Sequence, residues 1–230
     1  ASDVDGGSTD ACGIGSLSLD TTSFDCSDEG LNTVTLTATD VNGNAATCTA
    51  VVTVVDTIPP AALCQDITLQ LDATGNVSTT ATAVNNGSND NCSVANVTLS
   101  QVNFGCGDVG SNTVTLTVVD GSNNTSTCTA QVTVEDNVAP VASCQDVTVQ
   151  LDAQGAGSVT ASDVNNGSSD ACGIASLSLN TLNFTCPDVG SSNTVTLTVT
   201  DNNSNTSTCT AQVTVEDNVT PVAVCQDITV

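Results

Sequence analysis

Lysine, arginine, histidine, tyrosine, tryptophan and methionine are all missing from this 230-residue chain, and phenylalanine occurs only three times. Without imidazole, amine, guanidinium or phenol, acid-base work would fall to carboxylates alone, so most catalytic chemistry is excluded and the chain reads as a non-enzyme. Nucleic acid is excluded as a partner, because no cation is available to neutralise phosphates and the formal charge is −25. Membrane insertion is not expected, since no apolar run approaches the roughly 20 residues of a span. The chain carries no initiator methionine and no signal peptide, and so reads as a mature chain or an excerpt from one.

Acidity with few aromatics is a signature of disorder, but two features argue for folding: alternating runs of Val, Thr, Leu, Ile and Ala, and 12 cysteines. The cysteines form no CxxC pair and have no histidine beside them, so disulfides in an oxidising, extracellular or cell-surface compartment are expected rather than zinc.

Cysteine spacing exposes a repeat. Cys12, Cys92 and Cys172 are 80 apart, as are Cys26, Cys106 and Cys186, whereas Cys48, Cys128 and Cys209 step by 80 and 81, as do Cys64, Cys144 and Cys225. Phe24, Phe104 and Phe184 recur in register, each two residues before a cysteine, and read as core. Such a period suits an independent small β-sandwich of about seven short strands. Period-2 alternation marks strands at 146–152, 194–200 and 206–215, with Asn, Gly, Ser and Asp turns between them and no sustained helical period. The fold class is therefore all-β: tandem immunoglobulin-like β-sandwich domains arranged end to end as a rod, joined by short proline-bearing linkers that restrict hinging. Boundaries at Pro59 and Pro60, Pro140 and Pro221 divide the chain into 1–58, a repeat lacking its first strand, then 59–139 and 140–220, and 221–230, the opening strand of a further repeat.

Four cysteines in the complete repeat allow three pairings. The favoured one joins Cys172 with Cys186 as a local loop and Cys144 with Cys209 as a tie from opening to last strand. Its equivalents are Cys12–Cys26, Cys92–Cys106 and Cys64–Cys128, each bridge contributing roughly 3 to 4 kcal/mol through loop closure. Cys48 then lacks an upstream strand and Cys225 a downstream domain, so Cys48–Cys225 is expected between subunits or with flanking sequence. Either the chain is an excerpt of a longer periodic protein, or the tail of one copy completes the first domain of the next by strand addition.

The acids gather in loops and at strand ends. Asp3, Asp5 and Asp10, with Asp163, Asn165 and Asp170, place oxygen ligands at alternate positions around glycine, which suits calcium. The middle repeat has Ala83, Asn85, Asn86 and Asp90 there, and a weak or absent site is expected. A second group sits at the repeat junctions: Asp56 with Asp66, Glu135 and Asp136 with Asp146, and Glu216 and Asp217 with Asp227. A third comprises the turn acids Asp40, Asp120 and Asp201. The competing reading is that all of these are turn and capping residues on a solvated surface. Against it, 25 acids without one cationic side chain have no internal partner, and divalent ions offer relief. Asn-x-Ser/Thr sequons such as Asn76, Asn96 and Asn205 follow from composition, while Asp56, Thr57 and Ile58 form a short O-glycan acceptor pattern.

Four motifs, Cys144–Asp146 (CQD), Asp163–Leu179 (DVNNGSSDACGIASLSL), Asn193–Asp201 (NTVTLTVTD) and Ser207–Asp227 (STCTAQVTVEDNVTPVAVCQD), together resemble hyalin-repeat (HYR) immunoglobulin-like domains. The resemblance is to the tandem copies in giant secreted adhesins of Bacteroidota bacteria. It departs from the common family pattern in having Gln65, Gln145 and Gln226 where proline often follows the opening cysteine. It implies an immunoglobulin-like sandwich, surface display, and a role in adhesion, gliding or matrix building without catalytic residues. The expected function is a structural segment of an extracellular fibre, stalk or adhesin, with calcium as its ion and copies of itself or flanking repeats as partners. The alternative is an adhesin module that recognises a surface glycan or protein.

Overall fold

A computed structural model describes residues 1–228. Strands dominate, and they repeat in register with the sequence. The first repeat holds β1 (Ile14–Leu19), β2 (Gly30–Asp40) and β3 (Ala45–Val54). The second holds β4 (Ile67–Gln70), β5 (Asn76–Ser78), the short helix α1 (Ala81–Val84), β6 (Val94–Leu99), β7 (Asn103–Gly105), β8 (Gly110–Asp120) and β9 (Thr125–Glu135). The third repeats this order as β10 (Val147–Gln150), β11 (Ala156–Ser158), α2 (Ala161–Val164), β12 (Ile174–Leu179), β13 (Asn183–Thr185), β14 (Asn193–Asp201) and β15 (Thr206–Glu216). A 3-10 turn opens at each of Cys26, Cys106 and Cys186.

The third repeat shows the architecture most completely. Its larger sheet runs β10-β15-β14-β12, with β10 parallel to β15 and the other pairs antiparallel, and β11 pairs with β13 in a separate two-stranded sheet. Between the layers lies a core that includes Val149, Leu151, Val164, Phe184, Val195 and Leu197. The strict apolar/Thr alternation of β14 explains the packing: Val195, Leu197 and Val199 point inward while the threonines between them lie partly exposed. The same period turns Asp201 inward at the strand end, where it is 1% exposed.

The second repeat orders its sheet β4-β9-β8-β6 and pairs β5 with β7. By contact the chain divides into two compact units whose borders pass through this repeat. One comprises Ala1–Gln65, Ala81–Ser100 and Thr115–Ala130, and the other comprises Asp66–Thr80, Gln101–Val114 and the chain from Gln131 onward.

The first repeat has only β1-β2-β3 in its sheet. Val34 and Leu36 are buried in β2, but Ala38 and Asp40, at positions equivalent to buried Val118 and Asp120, remain open. Phe24 is half-buried, whereas Phe104 and Phe184 are 3% exposed, because each of those two faces a paired strand, Val77 and Gly157 respectively. The opening strand expected over 221–230 is not formed at residues 221–228, and its last two positions, 229–230, lie outside the described residues.

Four disulfides form. Cys64–Cys128 and Cys144–Cys209 tie the start of a repeat to its last strand, the pairing expected for them. The local pairs Cys12–Cys26, Cys92–Cys106 and Cys172–Cys186 do not form. Instead Cys26 bonds Cys92 and Cys106 bonds Cys172, each joining one repeat to the next inside a single compact unit. The reason is where the two-stranded sheet leaves the second cysteine of a repeat. Pairing of β5 with β7 sets Cys106 beside the turn at Gly75, and Ala171 and Cys172 of the next repeat lie against that same turn, so the nearest sulfur to Cys106 belongs to the following repeat. Cys12, Cys48, Cys186 and Cys225 are exposed and unbonded.

Candidate metal centre

Three carboxylates in the first compact unit converge: Asp56, from the segment after β3, Asp90, from the loop before β6, and Asp120, from the end of β8. Each offers an oxygen within 4.8 Å of the others. Asp120 is 1% exposed; Ser122 N–H (2.9 Å) and Asn124 N–H (2.7 Å) donate to its Oδ1, and the Asn124 amide to its Oδ2 at 2.8 Å. Asn124 also donates to the backbone carbonyl of Asp56 at 3.0 Å, which holds that segment against the β8–β9 turn. Asp56 Oδ1 accepts from Ile58 N–H, and Asp90 Oδ2 from the N–H groups of Cys92 and Ser93. The other Asp90 oxygen, Oδ1, is buried without a hydrogen-bond partner.

The arrangement recurs in the second unit. Asp136 and Asp170 approach each other beside Cys172, whose sulfur is committed to Cys106 and supplies no thiolate. Asp136 is 6% exposed and its Oδ2 is buried with no partner. Asp201 is buried in the position of Asp120 and takes the same donors, Asn203 N–H, Asn205 N–H and the Asn205 amide, which reaches the Asp136 carbonyl as well.

These groups fit a hard divalent cation. Oxygens bound to one calcium at 2.3–2.6 Å lie at most about 5 Å apart, the separation seen in the first cluster. With no cation, each pair of charges about 5 Å apart costs roughly 3 kcal/mol at an effective dielectric near 20. The chain has no cationic side chain to offset that.

The other expected ligands have different partners. Asp163 is the reciprocal cap of α2, accepting from the Thr160 hydroxyl and N–H, and Asn165 accepts from Ser168 N–H. Among the described residues Asp170, and not Asp163, is one of the converging carboxylates. Asp5 accepts from the hydroxyl and N–H of Ser8, Asp10 accepts from Cys12 N–H, and Asp3 joins neither cluster. Asp66 and Asp146 accept from the N–H groups of Gln131 and Gln212, so they pin an opening strand to the last one. Glu135 and Glu216 accept from Gln70 and Gln150 across the same parallel pairs, Asp217 accepts from Val219 N–H, and Asp227 is exposed. The middle repeat, expected to hold a weak or absent site, contributes Asp90, the counterpart of Asp10 and Asp170, to a three-carboxylate cluster, because its partners there, Asp56 and Asp120, come from outside that loop. The turn acids Asp40, Asp120 and Asp201 carry a further signal in the sequence, since each is followed four residues later by asparagine.

Hydrogen bonding alone shifts several exposed carboxyls. The Asn44 side-chain amide, then its N–H, holds Asp40 below the usual carboxylate value; Ser8 does so for Asp5 and Thr160 for Asp163, in each case through the hydroxyl first.

No protein-family model and no curated protein matches the sequence. Among solved structures the chain is similar to mouse clustered PcdhgC3 EC1-3, at 14% identity and a TM-score of 0.35 over 81% of this chain and 77% of that one. It is similar to Protocadherin Gamma C5 EC1-3 at 12% identity and 0.40, over 82% and 78%. Titin domains I67-I69 match at 11% and 0.35, over 81% and 75%. Likenesses this distant carry no argument about function. No helix among the described residues is long and apolar enough to cross a membrane.

Proposed function

We propose that the chain is a structural segment of an extracellular fibre, stalk or adhesin, stapled by disulfides and stiffened by calcium. Its repeats divide at 58/59, 139/140 and 220/221, and it joins copies of itself or flanking repeats head to tail. The observation that carries this reading is the paired junction cluster. Asp56 and Asp136 come from the segments linking successive repeats, Asp90 and Asp170 from the repeat that follows, and in both places a buried carboxylate oxygen lacks any donor. Calcium is the ion that suits all-oxygen donors of this kind outside the cell. Its binding would fix the linking segment to the next repeat. Disulfides supply what a core with two well-buried phenylalanines cannot, and their persistence requires an oxidising compartment.

Thermal melting in calcium and then in chelator tests the reading. A midpoint higher by many degrees in calcium is expected, since ligand binding to the folded state alone stabilises it. Equal midpoints would remove the metal, and with it the stiffened-segment reading.

A further inference from the structure

One end of the chain holds an open groove and the other holds a segment whose counterparts fill that same groove elsewhere. In the first repeat a cavity of about 370 Å³ is lined by Ser8, Asp10, Ile14, Leu36, Asp40 and Cys48, among others. In the second repeat the equivalent positions are covered by residues 56–64. Ala61 exchanges backbone hydrogen bonds with Asn89, the N–H of Leu63 meets the Ser88 hydroxyl at 2.9 Å, Pro60 is buried, and Cys64 bonds Cys128. In the third repeat residues 136–144 do the same: Val141 pairs with Ser169, Ser143 N–H meets the Ser168 hydroxyl at 3.0 Å, Pro140 is buried, and Cys144 bonds Cys209. The first repeat keeps the receiving groups, Ser8, Thr9, Asn44 and Cys48, at the matching positions.

Residues 217–225 (DNVTPVAVC) match 136–144 (DNVAPVASC) position for position in all but two residues. They lie exposed, with Val222 and Val224 each 88% accessible.

We propose that the groove of the first repeat receives the Asp217–Cys225 segment of a second copy of the chain. Pro221 takes the buried place of Pro140, Val222 pairs with Thr9, Cys225 meets Cys48, and Asp217 joins Asp10 and Asp40 as the third member of a cation cluster. A second covalent link follows from the same register. Cys186 sits against Gly155 as Cys106 sits against Gly75, a Cβ at either glycine falling 2.6 Å from the sulfur. Because Cys106 bonds Cys172, Cys186 bonds the Cys172 equivalent of the next copy, which is Cys12. All four unbonded cysteines are thereby used. Each bond forms by exchange with a small-molecule disulfide: two thiols lose two protons and two electrons, and the small disulfide becomes two thiols. The proposal rests on the reading of a self-associating, cation-dependent segment and adds which residues meet.

The test uses the 230-residue chain, refolded with calcium in a glutathione redox buffer from an equal mixture of isotope-labelled and unlabelled protein. A ladder on non-reducing electrophoresis is expected. After digestion by an Asp-directed protease, mixed-label peptides should join Cys225 to Cys48 and Cys186 to Cys12. A chain ended after Glu216 should lose the ladder yet keep its calcium-dependent melting. A Cys48→Ser, Cys225→Ser double variant should still associate reversibly with calcium in sedimentation. Monomers with four free thiols, or bonds among these cysteines within one chain, would overturn the proposal and leave the groove to neighbouring sequence of a longer polypeptide. A ladder that forms with equal efficiency in chelator would sink the split cation cluster. Loss of calcium-dependent melting with the ladder intact would instead sink the underlying cation reading alone.

Discussion

The side-chain amide of Asn205 lies 3.0 Å from the backbone carbonyl of Asp136, 69 residues away in sequence, and Asn124 stands in the same relation to Asp56. The same amide also donates to the carboxylate of Asp201, so one asparagine spaces a linking segment from a buried acid. Asn205→Ala removes both bonds and leaves a half-buried carbonyl without its donor. A loss of about 2 kcal/mol is expected in denaturant unfolding, at roughly 1 kcal/mol per bond. A loss below a few tenths would show that the clamp is ornamental.

Calcium affinity should separate the two sets of acids. Asp90→Asn removes one of three converging charges and should weaken binding in titration calorimetry by about tenfold or more, while leaving stability in chelator unchanged or raised, because like-charge crowding falls. Asp163→Asn, which touches only the α2 cap, should leave affinity within about twofold. Equal effects from the two variants would return the ligands to the loop.

Gly75 has φ +74 and no room for a side chain: an added Cβ would meet Cys106 Sγ at 2.6 Å and Ala171 Cβ at 3.2 Å. Gly75→Ala is expected to cost about 1–3 kcal/mol in unfolding and to slow formation of the Cys106–Cys172 bond. Gly87→Ala, also at positive φ (+78) but facing open space, should cost only the backbone part. Indistinguishable variants would contradict the packing argument.

Acid should weaken the fold in a defined window. Asp5, Asp40 and Asp163 have carboxyls held below the usual value by Ser8, Asn44 and Thr160 respectively. A group with a depressed folded pKa gives stability that is complete above its unfolded value, about 4, and is lost as pH falls through the lower folded value. Melting temperature should therefore fall below about pH 4. Thr160→Val, which removes the hydroxyl holding Asp163, should make that acid limb shallower; an unchanged limb counts against the assignment.

Much of the fold was legible because β-sheet burial has a period of two. The run Asn193–Asp201 alternates without a break, so β14 and its inward residues follow directly from the sequence, and the recurring cysteines exposed the repeat. Cys144–Cys209 was legible for a related reason: the opening strand of a sandwich lies beside its last strand, as β10 lies beside β15. The inter-repeat bonds were not, since they depend on which loops emerge at the same end of successive sheets. For the acids, the clusters draw together residues that are far apart in sequence. Asp163, in a run that looks like a cation loop, is satisfied by a single helical turn three residues long in reach, whereas Asp120 became a candidate ligand because the strand period turns the last residue of β8 inward. Asp90 stands in register with Asp10 and Asp170, but the neighbour that gives it a place in a cluster, Asp56, lies 34 positions earlier.

The four covalent loops overlap in sequence, 26–92, 64–128, 106–172 and 144–209, so no residue between Cys26 and Cys209 lies outside a closed ring. Under tension an ordinary tandem array lengthens bead by bead as each unravels to its full contour. Here a pulling force applied beyond Cys26 and Cys209 passes through sulfur bridges and short spans of backbone, and most of the polypeptide stays slack inside the rings. Extensibility is thus capped by chemistry rather than by the strength of the sheets, and a reductant would convert a nearly inextensible tether into a long and compliant one.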